Sequence, residues 1–109
     1  MSIQNDAGEL LALFYKDKIE GKEIKHSSDI KKETNWDWIR IINALEYLID
    51  KNLLRGKALK SMGSTLSVEV IVNGLTSSGI DIMENQEEFK GTFGFGINVG
   101  LFNFSWQNK

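Results

Sequence analysis

The chain has 109 residues, 41% of them apolar and 26% charged, with a formal net charge of −2. That length holds one hydrophobic core, and the weak negative balance argues against a general polyanion binder. With no cysteine there is no disulfide framework and no thiolate metal site, which fits a reducing, cytoplasmic setting.

Asp6–Glu20 reads as a helix, because Ala7, Leu10, Leu11 and Phe14 recur at three- and four-residue spacing. Gly21 is placed to end it in the left-handed conformation. Lys22–Lys25 is a short extended stretch able to pair with a later strand. A second helix follows from Ser28 to Glu33, with Ser27 or Ser28 as its cap and Asp29 beside the positive end of the helix dipole. Thr34, Asn35 and Trp36 make a tight turn. The strongest periodic segment then runs from about Asp37 to Leu54, where Trp38, Ile41, Ile42, Leu45, Leu48 and Ile49 form one apolar stripe. Trp36 and Trp38 straddle Asp37 and cannot face the same way; the stripe assigns Trp38 to the core. Trp36 either stacks on a sugar or packs over the turn, and packing is the commoner role for a tryptophan. Asn52 is suited to the left-handed position after the helix.

Leu53–Lys60 and Leu66–Val72 read as two strands joined by Ser61–Thr65. Leu75-Thr76-Ser77-Ser78-Gly79-Ile80 then opens another helix, with Thr76 as cap and Leu75 packing on Ile80 as a hydrophobic staple. Asn85–Lys90 reads as a polar linker. Beyond it, Phe93, Phe95, Ile97, Val99 and Leu101 alternate with small or polar residues, and Phe102, Phe104 and Trp106 continue after a slip in register. Period-two alternation predicts strand, with a bulge or bend at Gly100–Phe102. A strand with one face so apolar needs a partner. It either covers the core as a hairpin or pairs across a dimer, and these eight residues are the candidate self-association set. Gly96–Gly100, an amide between β-branched residues and glycines, also looks like the cores of amyloid-type signalling motifs.

Helix, turn, helix, two-stranded hairpin and helix, carried by "DWIRIINALEYLIDKNLL", "RGKALKSMGS", "SVEVIVNGLT" and "SSGIDIMEN", resemble small bacterial, archaeal and phage-type winged helix-turn-helix proteins. The likeness covers about half the chain. It implies an α+β fold, with a winged helix-turn-helix domain over residues 1–85 and a linker and Gly/Phe-rich β-strand or hairpin segment over 86–109. It also implies sequence-specific binding of double-stranded DNA by a homodimeric transcriptional regulator. On that template Ile39, Arg40 and Asn43 face the bases, since Arg and Asn make paired contacts to guanine and adenine. Ser28, Lys31, Lys32, Thr34 and Asn35 face phosphates, and Lys57, Lys60 and Ser64 lie on the wing.

Charge follows the same division. Residues 22–60 carry +3, whereas 61–109 carry −3. Acidic Asp37, Glu46 and Asp50 on the presumed recognition helix leave a second reading open, a winged-helix interaction module that recruits itself or a partner through its tail. Neither reading makes the chain an enzyme. His26 is the lone histidine, without companions for a metal, and no serine lies in a nucleophile-elbow context. Gly91–Gly96 lacks the spacing and following helix of a phosphate loop. No cofactor or small-molecule substrate is expected. Met1–Asp6 does not resemble a signal peptide, and no run of 18 apolar residues is present to span a membrane.

Overall fold

A computed structural model of the chain describes residues 2–21, 25–60 and 67–95. The elements are α1 (Ile3–Ile19), β1 (Lys25–His26), α2 (Ser27–Thr34), α3 (Trp38–Asp50), β2 (Leu54–Lys60), β3 (Ser67–Leu75), α4 (Ser77–Met83) and α5 (Gln86–Phe93). Among the described residues the strands form one antiparallel sheet in the order β1-β3-β2. The mixed α+β class expected from the periodicities is the one observed.

Hydrophobic spacing accounts for the helical layer. Ala7, Leu10, Leu11 and Phe14 of α1 and Ile41, Ile42, Ala44, Leu45 and Leu48 of α3 are buried against each other and against Val70 and Val72 of β3. Ser2 caps α1 by accepting from the Asn5 N–H at 3.0 Å, and Gly21 takes φ 79° just past its end. Of the expected extended stretch Lys22–Lys25, only Lys25 lies among the described residues; with His26 it pairs with β3, Lys25 opposite Val72 and His26 opposite Ile71.

The cap of α2 differs from the serine cap expected. The cap position is His26, whose N–H donates to Asp29 Oδ2 at 3.0 Å. Ser27 is already in the first turn, buried, and its Oγ accepts from the Val70 N–H at 3.0 Å. The strand turns directly into the helix, so the hydroxyl satisfies a β3 donor where the β1 backbone has left the ladder.

Asn52 occupies the left-handed region at φ 61°, and β2 leaves immediately after it. Thr76 caps α4 by accepting from the Gly79 N–H at 3.0 Å, while its own hydroxyl donates to the Asn52 carbonyl at 2.7 Å. The Thr76 N–H donates to the Leu53 carbonyl at 3.1 Å. Gly79 is needed here, because a Cβ at that position would lie 2.3 Å from the same carbonyl oxygen.

The segment after Met83 is a correction. Asn85–Lys90 is not a linker: Asn85 caps α5, accepting from the Glu88 N–H at 3.1 Å, and Gly94 ends it at φ 82°. Phe89 and Phe93 stand four residues apart on one helical face, 4.7 Å between ring centroids, and both are fully buried. Phe93 is therefore core within its own chain and not part of a self-association strand. Phe95, half-buried, sits edge-on to Phe89 at 5.4 Å. The other six residues of that set, Ile97, Val99, Leu101, Phe102, Phe104 and Trp106, lie outside the described residues.

Candidate nucleic-acid interface

The connection between α2 and α3 is Asn35, Trp36 and Asp37. Its backbone is held from both sides. Asn35 takes φ 57° and its N–H donates to the Lys31 carbonyl at 2.9 Å. Thr34 Oγ1 donates to the Ile30 carbonyl at 2.8 Å and accepts from the Trp36 N–H at 3.2 Å. Lys31 Nζ donates to the Trp36 carbonyl at 2.7 Å. Thr34 and Lys31, expected to contact phosphate, are thus engaged in shaping the turn.

Arg40 is engaged further. Its Nε and Nη2 donate to Asp6 Oδ2 and Oδ1 at 2.8 and 2.9 Å, a bidentate pair across α1 and α3. The guanidinium also lies 3.8 Å above the centre of the Trp36 ring. The Asp6 side chain is only 7% exposed, and that of Arg40 25%. The Asp6 hydrogen bond raises the Arg40 pKa further above its ordinary value; burial opposes it, and the charges of Asp6, Glu9 and Asp37 reinforce it. The signal for this pair was not local, because Asp6 and Arg40 are far apart in sequence and sit on separate helices.

Trp36 packs, as favoured from the sequence, but Trp38 is not the core residue expected. Trp36 is partly buried against the core beneath Arg40, whereas Trp38 is 36% exposed. The buried stripe of α3 begins only at Ile41, while Trp36, stacked under Arg40, packs against the core from the preceding turn. Beside Trp38, Ile39 is 57% exposed. Asn43 follows one helical turn after Ile39 on the same face and is half-buried.

Among the remaining expected contacts, Ser28, Lys32 and Asn35 are exposed along α2 and the turn, and Lys57 is exposed on β2. Lys60 ends β2; its side chain, and Ser64 entirely, lie outside the described residues. Farther along α3, Glu46, Ile49 and Asp50 face Ala58 of β2 across a cleft of about 410 Å³. The surface thus divides along α3: an apolar and amide-bearing first half and an acidic second half.

On the outer side of the sheet, His26 Nδ1 lies 3.5 Å from Glu69 Oε1, both partly exposed. Among the described residues no group of three or more His, Cys, Asp or Glu is placed to hold a metal ion, and no helix is long and apolar enough to cross a membrane. No protein-family model matches the sequence, and comparison with curated proteins and with solved structures returned no match.

Proposed function

We propose that the chain is a winged helix-turn-helix protein that binds double-stranded DNA as a regulator of transcription. In this reading α3 enters the major groove and the β2–β3 hairpin is the wing. What supports it most is the braced turn before α3, which presents the helix start with Trp38 and Ile39 outward and Asn43 one turn on. Lys32 and Lys57 are exposed on the elements either side of α3, and in this reading they would meet phosphates. The acidic half of α3, with Glu46 and Asp50, would lie away from the backbone, as expected when the N-terminal end of a recognition helix enters the groove.

One observation favours a second reading. With Arg40 and Lys31 committed within the chain, the face is poorer in cations than its sequence implies, and exposed Trp38 and Ile39 would also serve a protein partner. A fluorescence-anisotropy titration of the full chain with a random duplex pool at about 50 mM salt separates the two. Binding that weakens with salt, with a slope that falls by about 0.9 for each of Lys32→Ala and Lys57→Ala, supports DNA. Absence of binding at that salt supports the interaction module.

A further inference from the structure

We propose that α3 reads A·T base pairs in the major groove, with Ile39 and Trp38 against thymine methyl groups and Asn43 on the adenine edge. This rests on the DNA-binding reading above and adds the class of sequence that the same face selects.

The major-groove edges differ in what they ask of a side chain. Guanine offers two acceptors, N7 and O6, and needs a pair of donors such as a guanidinium. Adenine offers an acceptor and a donor, N7 and N6, which the carboxamide of asparagine complements. Thymine adds an apolar methyl group. The one cationic side chain in α3 is Arg40. Its Nε and Nη2 are both spent on Asp6, and the plane of the group lies on Trp36. Presenting the Nε edge to guanine would break both contacts and leave a carboxylate that is 7% exposed without its charged partner. Guanine readout from this position is therefore restricted to the Nη1 edge of a guanidinium fixed in place by Asp6 and Trp36.

The side chains that remain outward have the other chemistry. Ile39 holds a branched aliphatic group in solvent at the start of a rigid helix, and Trp38 adds an aromatic edge beside it. Contact with thymine methyls removes that apolar surface from water. Asn43, one turn on, supplies the donor and acceptor that adenine requires. Glu46, whose carboxylate could otherwise accept from cytosine, is turned to the cleft beside Ala58. Asp37, at the cap of α3, contributes its charge to the Arg40 cluster.

The test begins with selection of duplexes from a random pool by the full chain, followed by anisotropy on the selected site. An A·T-rich core is expected. Replacing its thymines by deoxyuridine removes only the methyl groups and should weaken binding by roughly fourfold for each methyl in contact, from the transfer free energy of one such group. Ile39→Ala, an exposed position whose folding is verified by circular dichroism, should weaken binding to the thymine duplex and lose the uracil sensitivity at the thymine that Ile39 contacts, keeping that of the thymine beside Trp38. Asn43→Ala should lose the preference at the adenine positions. A G·C-rich selected core, or equal binding of thymine and uracil duplexes by the unaltered chain, overturns the inference while leaving DNA binding intact. Failure to bind any duplex at about 50 mM salt overturns the DNA-binding reading, and this inference falls with it.

Discussion

Arg40 shows how one side chain can be claimed by packing before it is free for a ligand. The bidentate bond to Asp6 and the stack on Trp36 join α1, the turn and α3, and leaving either partner of such a pair alone in a buried site is costly. Asp6→Asn should therefore destabilise the chain by about 1–3 kcal/mol, read from a denaturant titration. Arg40→Ala should lower the melting temperature without redirecting base preference; a change in preference would show that the guanidinium also reaches the bases. Glu9, near the same cluster, has its pKa raised above 4.5, by burial first and Asp6 second, with Arg40 offsetting part. The folded chain then holds this proton more tightly than the unfolded one. The contribution is favourable below the ordinary carboxylate value and is lost as pH rises through the raised one. Glu9→Gln should thus melt higher than the unaltered chain at about pH 7, with the gap closing by about pH 4. Equal melting temperatures at neutral pH would contradict it. Tyr15, on the far end of α1, is pushed up to about 12 by burial and by its 2.7 Å hydrogen bond to Glu84. The stability it confers is present below pH 10 and is lost as pH rises towards 12.

Among the elements, α5 and α1 meet at a glycine. A Cβ on Gly8 would lie 2.8 Å from Phe93 Cβ and 2.9 Å from Phe95 Cε1. Alanine would gain up to about 1 kcal/mol of helix propensity there, but the overlap falls on a buried ring and should cost about 1–3 kcal/mol. The steric term dominates, so Gly8→Ala is expected to lower the unfolding midpoint; a higher midpoint would mean that α5 slides along α1 without loss. Neither this contact nor α5 itself was legible in the sequence. Phe93 and Phe95 alternate with Thr92 and Gly94 and read as strand, whereas the four-residue step from Phe89 to Phe93 that sets the helix is hidden in a charged stretch. Where local chemistry decides, the reading succeeds. The stripe of α3 from Ile41 to Leu48, the left-handed Asn52 and the Thr76 cap with its glycine three residues on all follow from spacing alone. The exposure of Trp38 and the stack of Arg40 on Trp36 do not, because Arg40 is held by an aspartate in α1.

For the whole molecule, the core is continuous from α1 through α3 to the sheet and α5. Leu45, fully buried in the cluster that holds Leu11 and Phe14, should cost about 2–5 kcal/mol when replaced by alanine. A chain ending after Lys90 loses Phe93 from that core and should melt well below one ending after Phe95; matching melts would mean that α5 is dispensable. The hairpin is built into the same body. Leu54 pairs with Leu75 at its base, and the Asn52 and Leu53 carbonyls both take hydrogen bonds from Thr76, so the exit of α3 and the two strand roots are fastened at one point. Helix and hairpin base consequently share one rigid frame, and their separation is set before any partner arrives. Association through that frame carries no ordering penalty at the hairpin base. In a calorimetric titration, the heat-capacity change from this part of the surface should reflect the contact area alone, without the larger negative contribution that accompanies a segment folding as it binds.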